Sequence, residues 1–361
     1  MIKVVLFRAL NMSTEKMTSR ERGLAIFRGE LPDRAPVCDF GNAAMLGYTG
    51  HTMKECRANP ALTDKIMAEW VKVTGEDMFF GPMETKGIFM DLPGIQIKLP
   101  ENDQGSIQSV YFESVDDAVE KYLYDPFDPK ACPNFHRYVV DIFKGERKAC
   151  PDVMMPVWCE GVLTTTGFLY GMENLIMGLL MQPDEITKVI DRGAAFSRDI
   201  ISAELEEIDA DYVVYTDPVS SADMIDENMF KTFNRDRLKA NISHWEKEYG
   251  VGTMLHICGD TTPMLPDFVM TGAKVMSLDH KVDLTKAKEC FGKKMAVMGN
   301  IDPVAVMLGE DVNKVKAAAE KCFADAGQDG GYVFGPGCAL PLSTPVQNIQ
   351  ALVEVSKKHP Y

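Results

Sequence analysis

His256 and Cys258 stand two residues apart in 253-TMLHICGD-260, and in an extended strand residues i and i+2 project from the same face. An imidazole and a thiol aimed the same way are ligand types that hold a borderline-soft divalent ion. Cys338 closes 331-GYVFGPGC-338, and Asp279 follows the apolar run in 274-KVMSLDH-280. Together they form a mixed N, S, S, O set that suits tetrahedral zinc better than magnesium or calcium. A lone His-x-Cys pair is frequent by chance, so the reading depends on the fold that would gather these positions.

The elements that must do so are a series of short apolar runs rich in Val, Met and Phe, each stopping abruptly at polar residues or glycine. They cover 35–41, 76–82, 153–161, 211–218, 253–260, 274–280, 294–302 and 331–338. Such runs read as strands buried on both faces. Segments with helical periodicity lie between them, among them 184–208, 227–250 and 312–327. Regular alternation of strand and helix predicts a parallel sheet, and eight repeats favour a closed (β/α)8 TIM barrel over an open, doubly wound α/β sheet. No Gly-rich phosphate fingerprint follows the first strand, which counts against a dinucleotide-binding fold.

Thr18 with Glu21 and Thr344 with Gln347 predict capped helix N-termini. The first of these helices precedes the first strand and is expected to lie under the barrel as an extra N-terminal helix. Residues from about 83 to 152 hold several prolines and are expected to be an insertion after the second strand, beside the active-site face. The whole chain, 1–361, is read as one domain.

Reactive side chains of such a barrel come from the C-terminal ends of its strands. Those ends carry Asp39, Cys159, Glu160, Asp217, His256, Cys258, Asp279, Asn300, Asp302 and Cys338. Asp217, in 215-YTDPVSS-221, is a candidate for orienting substrate or acting on a proton. Asn300 and Asp302 are candidates for supporting the metal ligands, although Asp and Asn also start turns and cap helices. Cys159 lies near the mouth without a matching partner, and Cys38, Cys56, Cys132, Cys150, Cys290 and Cys322 read as ordinary thiols.

Composition narrows the partners. Asp and Glu outnumber Lys and Arg by 53 to 38, a formal charge of -15 that repels a phosphate backbone, so nucleic acid binding is not expected. No apolar run reaches the ~18 residues of a membrane helix. The opening MIKVVLFRAL is too short for a secretory signal, and nine scattered cysteines fit a reducing cytoplasm better than a disulfide framework. The 23 methionines read as core filling.

At 255-LHICGDTTPMLP-266, 276-MSLDHKVDL-284, 297-VMGNIDPVAVM-307 and 335-GPGCALPLSTPVQNIQAL-352 the chain resembles the uroporphyrinogen decarboxylase superfamily. Within it, the chain is most similar to methylcobamide:coenzyme M methyltransferases and their corrinoid-dependent relatives. The resemblance is specific over about 205–358. Upstream it rests on 19-SRERGLAIFRGELPDRAPV-37 and on the order of elements. It implies zinc held by His256, Cys258 and Cys338, with Asp279 at the position of an acidic fourth ligand that substrate displaces. Decarboxylases of this superfamily carry an Arg-rich segment after the first strand, whereas 38-CDFGNAAMLGYTGHT-52 has no arginine, so porphyrin decarboxylation is a minor alternative.

The activity implied is methyl transfer between a corrinoid (cobalamin) on a partner protein and a small thiol such as coenzyme M. No Asp-x-His-x-x-Gly corrinoid segment is present, so the corrinoid has to arrive from outside the chain. The alternative within the superfamily takes methyl from a methoxylated aromatic compound or other methyl donor. An alternative of another class is a non-catalytic corrinoid-binding subunit whose zinc is structural. The small-molecule partner, the direction of transfer and the oligomeric state, a homodimer among the options, stay open at this level.

Overall fold

The computed structural model describes residues 16–361; the opening stretch, read above as too short for a secretory signal, lies outside them. Six parallel strands form one continuous sheet in the order β3 (Pro156–Glu160), β4 (Tyr212–Thr216), β5 (Gly252–Ile257), β6 (Val275–Leu278), β7 (Ala296–Met298) and β8 (Tyr332–Val333). Every residue of these strands is buried except Gly252, as expected of strands covered on both faces.

The first two expected strands are reduced to single parallel bridges, and those bridges close the ring. Val37 pairs with Phe334, Cys38 with Met78, and Met78 with Met154. The circuit therefore runs from β8 through Val37–Cys38 and Met78 back to the segment entering β3, which is a closed (β/α)8 barrel. All eight expected strand positions take part in the ring, two of them only as single bridges. The reason is local: Asp39 N–H and Val37 N–H turn toward the carboxylates of Glu76 and Asp77 and leave the ladder.

The periodic segments fold as helices Pro183–Glu207 and Val312–Ala326, and as a run from Glu227 to Tyr249 with a π-helical stretch at Phe230–Arg235. The helix Ser19–Phe27 starts on the expected capping box of Thr18 and Glu21. It lies beneath the strand starts, with Phe27 against Tyr212 at a ring separation of 5.0 Å. Gly23 is required there, because a Cβ at that position would sit 2.3 Å from Met154 Sδ. The last helix, Val346–Lys358, begins after Pro345, which is itself the extended cap residue. Thr344 is thus one position too early to cap it, and its buried hydroxyl has no partner.

The segment 83–152 is only partly the irregular insertion expected. A short hairpin of β1 (Ile97–Lys98) and β2 (Ser106–Ile107), the 3-10 helix Thr85–Phe89 and the helix Val115–Glu120 make up its first part. From Pro133 to Ala149 the backbone is continuously helical and packs on the helix Ala61–Thr74, so this last part is a regular barrel helix leading into β3. Among the described residues no helix is long and apolar enough to cross a membrane.

Candidate metal centre

Strand register fixes which side chains enter the barrel. Glu160, Thr216, His256 and Ser277 are paired in one row across β3, β4, β5 and β6. Neighbours in such a row share a face. Tyr215, one residue earlier than Thr216, points outward and shares hydrogen bonds with Ser197 and Asn241 of the surrounding helices. The row containing Thr216 and His256 therefore points inward, and so does Cys258, two residues beyond His256.

Among the described residues, His256, Cys258 and Cys338 are the one group of three or more potential metal ligands whose ligand atoms all lie within 4.8 Å of one another. His256 Nε2 is 2.9 Å from Cys258 Sγ, and Cys258 Sγ is 3.2 Å from Cys338 Sγ. Either thiol can donate in this contact. Hydrogen bonding to Cys338, together with burial, pushes the Cys258 thiol up; the same bond and the nearby His256 pull Cys338 down against its own burial. On the far side of the ring His256 Nδ1 is 3.0 Å from Ser277 Oγ. With Ser277 accepting from Nδ1–H, the Nε2 lone pair is directed at the thiols, the tautomer a metal ligand needs. Two thiols and an oriented imidazole at these separations suit one ion with bonds of about 2.0–2.3 Å.

Two glycines let the loops carrying the thiols come this close. Gly259, at φ +85°, turns the chain directly after Cys258. Gly337, before Cys338, packs on the backbone of Asp279 and His280, where a Cβ would lie 2.4 Å from His280 N. Phe40 and Phe80 stack on each other and both meet His256 edge-on, at ring separations of 5.0 and 5.5 Å.

The other expected site residues divide. Asp279 is adjacent but does not join the group: its carboxylate accepts from Gly259 N–H at 2.9 Å and Lys281 N–H at 3.0 Å, and His280 Nδ1 is 3.0 Å away. Asn300 donates to the carbonyls of Asp279 and Val282 and so braces the loop that carries Asp279. Asp302 accepts from Val304 N–H and Ala305 N–H and caps its own turn.

Asp217 is not brought to the trio. It is fully buried and points outward, accepting from the Leu163 and Thr164 amides, the Thr164 and Ser220 hydroxyls and the Asn234 amide. Burial pushes its pKa up while the hydrogen bonds from Thr164, Asn234 and Ser220 counter it. Its place is the start of the helix Val162–Tyr170, where Gly161 has no room for a Cβ beside it. Asp39 is likewise turned outward, to Trp70 Nε1 at 2.7 Å. Cys159 is fully buried beside the inward row and faces away from it.

Sequence reasoning missed Ser277 and Lys86. Ser277 was legible as the one polar side chain in the buried run of β6. Lys86 lies in the irregular insertion, and no local signal pointed to its contact with Glu160 at 2.9 Å.

Comparison with known proteins supplies the context for this geometry. The family model for uroporphyrinogen decarboxylase (URO-D) matches residues 18–359. A methylcobamide:CoM methyltransferase MtaA of Methanosarcina barkeri is 26% identical over 344 residues, covering 94% of this chain and 97% of the relative. A methylcobamide:CoM methyltransferase MtbA of Methanosarcina acetivorans is 29% identical over 211 residues, 53% of this chain and 60% of that one. The solved structure of a methyltransferase from Methanosarcina mazei superimposes with a TM-score of 0.82 at 25% identity, covering 95% of this chain and 99% of the other.

Proposed function

The chain belongs to the uroporphyrinogen decarboxylase family, and from that premise we propose that it is a zinc-dependent methyltransferase moving a methyl group between a corrinoid on a partner protein and a small thiol. The observation that carries this is the convergence of His256, Cys258 and Cys338 inside the barrel mouth, with Ser277 setting the imidazole. Relatives spanning nearly the whole chain are methyltransferases that use methylcobamide, which supports the general kind of reaction.

His256 Nε2 and the two thiolates would hold the ion. When bound, zinc supplies the Lewis acidity that lowers the pKa of a substrate thiol. Two thiolates and a neutral imidazole cancel its charge, so the donor set favours a sulfur that keeps its nucleophilicity over strong polarisation of an ether oxygen. In the transfer the carbon–cobalt bond of methyl-cob(III)amide breaks with its electron pair left on cobalt, giving cob(I)amide. The carbon–sulfur bond forms, and the thiol proton is released.

The protein's own contribution is placement and shielding. Ser277 fixes the ring of His256, and Phe40 and Phe80 cover its edge against water. Asn300 and the Gly259 and Lys281 amides hold Asp279 beside the thiols. Asp279 is the carboxylate available as a displaceable fourth ligand, at the cost of one of those amide bonds. Coenzyme M is the acceptor named for the relatives.

A methoxylated aromatic donor is the second reading, favoured by the stacked Phe40–Phe80 pair at the trio. One assay separates the two. Methyl transfer between cobalamin and a panel of thiols and aromatic methyl ethers is followed by the visible absorbance of cob(I)alamin, with and without zinc. We expect zinc-dependent transfer to thiols that disappears in Cys338→Ala together with the bound zinc. Stoichiometric zinc in Cys338→Ala overturns the ligand set, and activity with aromatic ethers alone overturns the thiol reading.

A further inference from the structure

The inward row that carries His256 begins, two strands away, with Glu160. Its carboxylate accepts from Thr216 Oγ1 at 2.8 Å and from Lys86 Nζ at 2.9 Å. Lys86 reaches this point from the 3-10 helix Thr85–Phe89, lies over the ring of Phe168 at 4.6 Å and is almost wholly buried. Strands in a sheet are about 4.8 Å apart, so Thr216 alone separates this ion pair from the imidazole. A substrate whose sulfur sits at the trio and whose tail runs along this row would meet Lys86 and Glu160.

The charges around that position are already balanced or negative. Among the described residues, basic side chains on the loops around the trio are in contact with carboxylates: Lys86 with Glu160, His280 with Asp279, and Lys281 with Asp223 at 2.7 Å. A sulfonate or carboxylate tail would have to displace one of those carboxylates to gain a cation, and would then face the displaced group. A neutral tail meets no such penalty, and an ammonium tail finds Glu160 and Asp279.

We propose that the Lys86–Glu160 pair determines the charge of the small substrate, and that it selects a thiol with a neutral or cationic tail against an anionic one such as coenzyme M. The inference deepens the thiol-acceptor reading given above and rests on it. It departs from the acceptor named for the similar methyltransferases. Charge selection of this kind follows from carboxylates fixed among buried side chains, where a like charge is repelled more strongly than in water.

The test uses three thiols of matched length: 2-mercaptoethanol, 2-aminoethanethiol and 2-mercaptoethanesulfonate. Dissociation constants are measured by calorimetry on the zinc-loaded enzyme and, separately, initial rates of methyl transfer from methylcobalamin. The sulfonate should bind at least about tenfold more weakly than either of the others, as expected for one unfavourable charge contact. Glu160→Gln frees Lys86 and should move the preference toward the sulfonate by about the same factor; Lys86→Met frees Glu160 and should move it toward the amine. The double variant Lys86→Met, Glu160→Gln leaves no uncompensated charge in the fold and should bind the sulfonate and 2-mercaptoethanol within a few-fold of each other.

Tightest binding of the sulfonate by the wild-type enzyme, or a rank order unchanged in all three variants, overturns the proposal. If the thiols bind in the expected order and none accepts methyl, the methyl-transfer reading falls while the charge selection stands.

Discussion

The two ends of the barrel differ in what stands at their centre. At the end where the strands begin, arginines and aspartates pair with one another and most are buried. Asp77, fully buried, accepts from Arg22 at 2.6 Å, from Arg34 at 2.7 Å, and from Ser19 Oγ and Val37 N–H. Asp211 takes Arg20 at 2.7 Å and also pairs with Arg147. At the end where the strands stop, a basic residue and two thiols stand together with no carboxylate among them, although Asp279 is adjacent and held elsewhere. A set of fully matched charges resists rearrangement, whereas a cluster of thiols and imidazole has lone pairs to offer. The first arrangement is suited to fixing the fold and the second to binding an ion, in line with the division between the two faces of β/α barrels.

Substitutions at each end can break this division. The largest effect is expected from Asp77→Ala, which removes the carboxylate shared by two buried guanidinium groups while Arg22 keeps Asp33, and should cost about 3 kcal/mol of unfolding free energy, read from denaturant midpoints. The folded fraction should still bind zinc stoichiometrically; a coupled loss of metal would show that the two ends are not independent. Next, Ser277→Ala removes the hydrogen bond that orients His256. Metal affinity should fall about 10–100-fold in a chelator competition, with little change in thermal midpoint. An unchanged affinity would mean that packing against Phe40 and Phe80 suffices to orient the ring.

The smallest effect concerns acid stability at the strand-start end. Partial burial pulls the Asp33 carboxyl upward, but the Arg22 guanidinium and the Met17 and Lys16 amides outweigh it and hold the group at about 2. Its folded value thus lies below the unfolded 3.8, so its contribution is present above that pH and is lost as pH falls from about 4 to 2. Asp33→Asn should flatten the loss of stability across that window, by under about 1 kcal/mol because the pair is partly exposed to screening solvent. A wild-type and variant acid-unfolding curve with the same slope there would remove Asp33 from the network.

Much of the fold was legible because its signals are local. Eight apolar runs located the eight strand positions, including the two that shrink to single bridges at Val37–Cys38 and Met78. Alternation along β5 was enough to put His256 and Cys258 on one face, since a strand has a period of two whatever surrounds it. The same rule applied to 215-YTDP-218 puts Asp217 out of phase with the inward row. Its position at a strand end is visible in sequence, but its outward phase is set by Tyr215 and Thr216, and the donors that saturate it come from Thr164 and Asn234 on other elements.

The sequence by itself determined the barrel, the pair on β5 and the acidic character of the chain. Only the tertiary structure decided what meets that pair. Cys338, eighty positions further along the chain, reaches Cys258 because the ring closes through single bridges and because Gly337 lets its loop settle on the backbone of Asp279. Ser277 reaches His256 through the register of two strands, and Lys86 reaches Glu160 from an insertion without periodic signal. Periodicity is carried by neighbouring residues along one segment, whereas register and closure are properties of segments held side by side, and no residue's own neighbours in sequence record them.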